Sequence, residues 1–222
     1  MSRWIYLSYM LDDKTPVYGN GKTFSYKAER CMEKGDACNT AYLSFPNHIG
    51  THIDFPRHFV SNGKRLRDYP ASFWYFRNVY LIYIPGVEPG RIIGTEDLKA
   101  SSIPKDTELL LVKTGFGSLR QERMYWESNP AFSPELAGAL REHCPVLRVM
   151  GFDSISLSSW LDRSLGRKAH RAFLDHSRPI LPLEDMNLAA VDETTVFRQV
   201  VVSPLSVAEA DGSPCTVLAE VD

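Results

Sequence analysis

Three of the six histidines in this 222-residue chain fall within eleven residues, together with an aspartate. They are His48, His52 and His58, and Asp54 lies between the last two. Several imidazoles with one carboxylate are typical ligands of first-row transition metals such as Zn, Mn, Fe or Ni, rather than of Ca or Mg. A lone histidine is usually structural, but polar groups gathered this closely repel one another or need desolvation. The segment therefore predicts a divalent metal site.

The backbone of this segment is expected to be extended and bent. An i,i+4 pair such as His48 and His52 can share one face of a helix, but Gly50 and Pro56 oppose a helix here. In an extended chain every second side chain lies on one face, and all four polar residues have even numbers. A straight strand over 48–58 would be about 33 Å long, whereas metal–ligand bonds are about 2 Å. The chain must bend, and Gly50 and Pro56 are suited to bend it.

Short apolar runs elsewhere predict the sheet that positions this segment. The runs that favour strands are residues 3–9, 79–84, 108–113, 146–151, 197–204 and 216–221. A β-hairpin is expected around Asn20-Gly21, because this pair favours a two-residue hairpin turn.

Helices are expected to be fewer. Ser133-Pro134-Glu135 is a start signal for a helix that Pro145 ends, and apolar residues at four-residue steps favour another helix over 160–173. The predicted fold class is therefore α/β, a single mixed domain over residues 1–222, in which a few helices flank a central, largely β core.

Composition excludes several classes of protein. The chain is 44% hydrophobic and 23% charged, which is ordinary for a globular domain. Its formal net charge of -2 offers no basic excess for phosphates, so we expect no nucleic acid partner. The most apolar run, 79–85, is too short to span a bilayer, and no secretory signal is evident. With four cysteines and no C-x-x-C pair, we expect free thiols, a cytoplasmic location and no membrane partner.

The histidine segment also carries a longer signature. Residues 48–59 read H-x-G-T-H-x-D-x-P-x-H-F, which matches every fixed position of the signature of the cyclase family. That family includes bacterial kynurenine formamidases and isatin hydrolase-like enzymes. Segments 6–19, 113–116, 151–156 and 210–214 resemble further motifs of the family in the same order. The resemblance extends over nearly the whole chain and implies a swivelling β/β/α fold.

The resemblance implies a catalytic histidine followed by a metal-binding glutamate. His170 and Glu184 are similar to these two residues, although their spacing of 14 residues is slightly longer than the family pattern. One or two Zn or Mn ions per chain are implied, with these ligands: His48, His52, Asp54, His58 and Glu184.

The division of these ligands between two ions is also implied by the resemblance. His48, His52 and Asp54 would hold one ion, and Asp54 would bridge to a second ion held by His58 and Glu184. The family further implies a homodimer or homotetramer.

These residues imply a metal-dependent hydrolase that acts on an amide, lactam, ester or lactone of a small molecule, as a kynurenine formamidase does. A bound divalent ion lowers the pKa of its water toward 7 and polarises the carbonyl group. His170 would carry the proton from water to the leaving group, and His58 is the second catalytic candidate. An aromatic substrate would meet a pocket formed by Phe45, Phe55 and Phe59, with His176 as an extra polar group.

Two other functions stay open at this point. A cyclase or lyase would use the same ligands to stabilise an enolate of a polyketide-like or sugar-derived acid, since a metal stabilises an enolate as well as a tetrahedral oxyanion. A non-catalytic metal-binding protein would keep the ligands without using His170.

Overall fold

Strands outnumber helices in this structure, a computed structural model that describes residues 1–19 and 21–222. The strands, in chain order, are β1 (Arg3–Tyr6), β2 (Ser25–Arg30), β3 (Thr40–Ser44), β4 (His52–Asp54), β5 (Tyr75–Phe76), β6 (Val79–Tyr83), β7 (Ile92–Ile93), β8 (Leu109–Lys113), β9 (Ala131–Phe132), β10 (Val149–Phe152), β11 (Leu181–Glu184), β12 (Phe197–Pro204) and β13 (Gly212–Val221). The α-helices are α1 (Thr95–Leu98), α2 (Met124–Glu127), α3 (Glu135–His143) and α4 (Arg163–Leu174).

A mixed sheet forms the centre of the described chain. Its strands run in the order β5-β12-β13-β4-β11-β10-β8-β6, and β1 also pairs with β13. The strands β6, β8, β10 and β11 are parallel, whereas β4, β13, β12 and β5 extend the sheet with antiparallel pairs. The carboxyl ends of β8, β10 and β11 therefore meet at one edge, which is where ligands bind in sheets of this kind.

Strand β8 illustrates why both faces of this sheet are covered. Leu109 and Leu111 belong to an inner core that includes residues of β12 and β13. Leu110 and Val112, on the opposite face, belong to a second core to which α3 and α4 contribute. Because alternate residues of a strand point to opposite faces, a continuous apolar run satisfies both cores. The sheet curls around the inner core into an incomplete barrel, and the helices pack outside it.

Both helices predicted from the sequence are present. Helix α3 starts at Glu135, directly after Pro134, and ends before Cys144. Helix α4 starts at Arg163 because Asp162 caps it, with its side chain accepting a hydrogen bond from the backbone N–H of Leu165 at 2.9 Å. The predicted α/β class, with a β core and few flanking helices, is confirmed.

The first hairpin forms later in the chain than predicted. Strands β2 and β3 pair antiparallel, and the connection between them contains Gly35 with φ +94. Of the predicted turn residues, Asn20 lies outside the described residues.

Among residues 1–19 and 21–222, no helix combines the length and the apolar character needed to cross a bilayer.

Candidate metal centre

Strand β4 lies between β11 and β13, and the register of these strands assembles the centre. His52 is opposite Glu184 on β11, and Asp54 is opposite Gly212 on β13. Directly opposed residues on antiparallel strands have Cβ atoms about 4.5–5.5 Å apart. His52 and Asp54 share a face because they are two residues apart. Sheet pairing therefore brings a glutamate that is distant in sequence onto the histidine segment.

Bends on both sides of β4 bring the remaining histidines back to it. Gly50 has φ +59, a left-handed conformation that glycine adopts without the steric cost of a Cβ. Pro56 begins a single 3-10 turn that ends at His58. As a result the ring centroids of His48 and His58 are only 4.0 Å apart.

Two groups of three potential ligands share Asp54. His52, Asp54 and Glu184 form one group, and His48, Asp54 and His58 form the other. Within each group the ligand atoms lie within 4.8 Å of one another. The resemblance implies a different division, with His48 beside His52 and His58 beside Glu184. In the structure the proximity of the side chains differs from this division, because the strand register opposes His52 to Glu184 and the two bends bring His48 to His58.

Hydrogen bonds to one ring nitrogen orient two of the imidazoles. His52 Nδ1 lies 2.8 Å from the carbonyl oxygen of Gly50, to which it donates. Its Nε2 is then free to face Glu184 Oε2 at 3.3 Å and Asp54 Oδ1 at 3.6 Å. His58 Nδ1 lies 3.0 Å from Asp211 Oδ2. Such supporting bonds fix the tautomer of metal-binding histidines.

Asp211 and Gly212 shape the site of His48. His48 Nδ1 is 2.8 Å from Asp54 Oδ1, whereas its buried Nε2 makes no hydrogen bond to the described residues and has Asp211 Oδ2 at 3.5 Å. A Cβ at position 212 would lie 2.2 Å from His48 Cε1, so the ring requires glycine there. Asp211 is a site residue that the sequence analysis did not single out. Its signal was the resemblance of segment 210–214 to a family motif.

His170 reaches the centre from α4. Its Nδ1 lies 3.0 Å from both the carbonyl oxygen of Gly166 and Ser158 Oγ. Its Nε2 faces the ligand groups, 3.4 Å from Asp54 Oδ2 and 3.5 Å from Glu184 Oε1. One nitrogen is thus held by the protein framework, and the other points between the two carboxylates that the ligand groups use.

The buried carboxylates control the protonation of the histidines. Burial alone would lower the pKa of His48 and of His170, but the carboxylates around them outweigh burial and raise both pKa values to about 10. Burial would raise the pKa of Asp54 and of Glu184, but the neighbouring histidines lower both. Two ionised carboxylates therefore lie where the imidazole nitrogens converge.

Comparison with known proteins agrees with this geometry. A family model described as "Putative cyclase" matches residues 5–159. The chain belongs to the cyclase family.

Cyclase family members of known name lie among its relatives. A kynurenine formamidase of Geobacillus thermodenitrificans is 28% identical over 224 residues, covering 96% of this chain and 95% of the relative. A kynurenine formamidase of Bacillus cereus is 28% identical over 213 residues with the same coverage. Isatin hydrolase A from Labrenzia aggregata has the same fold, with a TM-score of 0.80 over 99% of this chain and 94% of that chain at 22% identity.

In this cyclase family member, a cavity of about 460 Å³ opens beside the two groups of potential ligands. All five predicted ligands and His170 line it. Phe59 also lines it, with its ring stacked on that of His170 at a centroid separation of 4.6 Å. The volume is within the usual range for small-molecule sites.

Three residues expected in the pocket lie elsewhere. Phe55 is fully buried in the inner core, because its odd position places it on the opposite face of β4 from the ligands. Phe45 stacks on Phe24 and does not line the cavity. His176 is exposed after the end of α4, where its Nδ1 accepts a hydrogen bond from the backbone N–H of Arg178.

The cluster fits a divalent cation. A buried imidazole nitrogen without a hydrogen bond is costly unless something binds it, and His48 Nε2, which lies 3.5 Å from Asp211 Oδ2, makes no hydrogen bond to the described residues. Imidazole and carboxylate donors in two overlapping groups suit transition metals. The residues that would hold the ion are those of the two groups: His48, His52, Asp54, His58 and Glu184.

Proposed function

We propose that this protein is a metal-dependent hydrolase that cleaves the C–N acyl bond of a small amide or lactam. One observation carries the proposal. Two ligand groups that share Asp54 lie at a cavity, and His170 Nε2 faces the same carboxylates from a helix. A site that only stored metal would not require a separately anchored imidazole beside it.

The proposed metal is Zn or Mn, as one or two ions per chain. When bound, a divalent ion polarises the acyl carbonyl, lowers the pKa of water and offsets the carboxylate charge that raises the pKa of His170.

His170 is proposed to move the proton. Since Gly166 and Ser158 hold its Nδ1, Nε2 is the atom that accepts the proton of the attacking water. The bond between this oxygen and the acyl carbon forms, the C–N bond breaks, and Nε2 returns the proton to the leaving amine. Asp54 and Glu184, on either side of Nε2, stabilise the imidazolium between these two transfers. His58 is the second proposed catalytic residue, since its ring lies 6.0 Å from that of His170.

The substrate is proposed to be aromatic. Phe59 offers a ring face beside His170, and ring faces favour planar substrates through stacking. Relatives named kynurenine formamidase and a structural neighbour named isatin hydrolase support an amide or a lactam rather than an ester.

The assembly is proposed to be a homodimer or homotetramer in the cytoplasm, with a small-molecule substrate and no nucleic acid or membrane partner. The β2–β3 hairpin supports an oligomer, because every residue of β2 is exposed and Tyr26, Tyr42 and Leu43 present apolar surface. A two-stranded hairpin is marginally stable without a packing partner. Unpaired cysteines support the cytoplasm.

The test is hydrolysis in oxygen-18 water by protein loaded with Zn or Mn. We expect N-formyl aromatic amines or lactams to be turned over, with oxygen-18 in the acid product because water is the nucleophile. His170→Ala should lower kcat by about 10²–10⁴-fold with its metal content unchanged, and His176→Ala, on the exposed surface, should leave kcat unchanged.

Other outcomes favour the rival functions. Turnover without oxygen-18 in the product would indicate a lyase or cyclase that acts by enolisation. Full metal content with no turnover of any acyl substrate would indicate a metal-binding protein that is not a hydrolase.

A further inference from the structure

The mouth of the cavity carries three cations that the proposed reaction does not use. Lys22, Arg163 and Arg167 all line it. In the described part of the chain, Lys22, Arg163 and Arg167 have no hydrogen bond or ion pair, and the guanidinium of Arg163 lies over the ring of Trp160, 4.9 Å away. The carboxylates among the described lining residues are Asp54 and Glu184, which both belong to the ligand groups. Positive charge at the mouth is therefore unbalanced.

Helix α4 places two of these cations in line with the proposed proton carrier. Arg163, Arg167 and His170 are spaced by four and three residues, so they share one helix face. At about 1.5 Å of rise per residue, Arg167 starts about 4.5 Å and Arg163 about 10.5 Å from His170 along the axis. The two arginines, which both line the cavity, are thus spaced along α4 over the length of a small aromatic molecule.

The position of Arg163 is fixed by aromatic packing. Its guanidinium lies over the ring of Trp160, and that ring meets Tyr18 edge to face at 5.2 Å. Stacking on an aromatic face holds the planar guanidinium without a carboxylate partner. Arg163 is also the first residue of α4, where the helix dipole disfavours a cation. A cation kept at this place and left unpaired is suited to attract an anion.

We propose that Arg163 and Arg167, with Lys22 of the same cavity, bind an anionic substituent of the substrate, such as a carboxylate, about 5–10 Å from the reacting carbonyl group. This inference rests on the proposed hydrolase function and specifies its substrate class. Guanidinium groups bind carboxylates through paired, charge-assisted hydrogen bonds. The anion would fix the direction in which the aromatic body enters the cavity, so that the amide lies at the ligand groups.

The test compares matched substrates with and without the charge. N-formyl aromatic amines that carry a carboxylate on a side chain of increasing length are paired with the corresponding carboxamides, which are neutral and nearly isosteric. We expect wild-type protein to prefer the carboxylate in kcat/KM, with an optimum at one side-chain length. Arg163→Gln with Arg167→Gln should reduce the preference by about 10–100-fold, since hydrogen bonds to charged groups are worth that factor. The carboxamide rates should fall much less than the carboxylate rates.

Lys168→Gln is the matched control, because Lys168 is an exposed cation of α4 that does not line the cavity. It removes the same charge from the same helix and should keep the preference. Equal rates for carboxylate and carboxamide in the wild type would overturn the inference, as would a preference that survives in the double Arg variant.

A binding measurement separates this inference from the hydrolase proposal. Calorimetric titration of metal-loaded protein with the amine products, which hydrolysis does not consume, should show tighter binding of the carboxylate amine than of the carboxamide amine. The double Arg variant should lose that difference even if no amide is turned over. Carboxylate binding that is unchanged in this variant would place the anion elsewhere and refute the subsite.

Discussion

Two adjacent carboxylates at the end of β11 belong to different polar clusters. Asp185 accepts two-pronged hydrogen bonds from Arg120 at 2.7–3.1 Å and another from Tyr125 Oη at 2.5 Å. Glu184 accepts from the backbone N–H of Leu157 at 2.7 Å and faces His52 and His170. Asp185, the first residue after β11, has φ +52.

The difference between these clusters lies in how their charge is balanced. In the Asp185 cluster, one guanidinium and one phenol donate hydrogen bonds to the carboxylate. The protein therefore satisfies the hydrogen-bonding capacity of this carboxylate without a ligand. In the Glu184 cluster, Asp54 adds a second buried carboxylate, and His48 Nε2 makes no hydrogen bond to the described residues, with Asp211 Oδ2 3.5 Å away. Buried polar groups are normally satisfied. A cluster that its own chain completes is structural, and one that it leaves open is prepared for a ligand.

Removing the carboxylate of Asp54, which both ligand groups share, should have the largest effect on metal binding. Asp54→Asn takes a ligand from both groups. We expect metal affinity to fall by more than the roughly 10–100-fold that loss of a supporting partner costs, with turnover falling below detection. Metal analysis by mass spectrometry and the melting temperature with and without added Zn or Mn would measure this. The wild type should be stabilised by the ion, and the variant should not.

Asp153→Asn is the control for burial. Asp153 is a buried carboxylate that Thr114 and Gly115 satisfy, and it belongs to neither ligand group. The Asp153→Asn variant should keep its metal content even if its free energy of unfolding decreases. Normal metal binding by Asp54→Asn would show that the Glu184 cluster is structural after all.

The sequence predicted those parts of the centre that are contiguous. Four ligands lie within one segment whose parity and bending residues are visible without a structure. Period-two alternation also predicts that Phe55 faces away from them, so placing it in the pocket was wrong. Phe59 lines the cavity because the 3-10 turn from Pro56 interrupts the alternation, and no local pattern gives the rotation that follows such a turn.

The rest of the metal centre depends on contacts between segments that are distant in sequence. Strand β11 contains Pro182, and proline argues against an interior strand, so its pairing with β4 was not foreseen. That pairing sets His52 against Glu184, and the pairing of β13 sets Asp211 beside His48 and His58. Residue types indicated the metal, but the proximity of the ligand side chains follows from strand register, which only the folded chain defines.

Breaking the Asp185 cluster should change stability rather than metal binding. Arg120→Met leaves a buried carboxylate without its counterion, which should lower the free energy of unfolding by about 3–5 kcal/mol. Urea unfolding would measure the loss, and metal content per folded chain should stay normal. Arg123→Met is the control, since it removes an exposed i,i+4 partner of Glu127 and should not change stability measurably. A loss of metal at unchanged stability in Arg120→Met would show that the two clusters act as one.

The last expected effect is a pH dependence that the Glu184 cluster produces. With chelator present, the pKa values of His48 and His170 in the folded protein, about 10, exceed the ordinary value of 6.5 that applies when unfolded. The folded state then binds more protons, so this stabilisation is complete below pH 6.5 and is lost as the pH rises toward 10. Bound metal should reverse the trend, because the ion competes with the same protons. Melting temperatures across this range would show both slopes, and His176→Gln should alter neither. If the melting temperature changed with pH in the same way with chelator and with metal, the proton and the ion would not share the site.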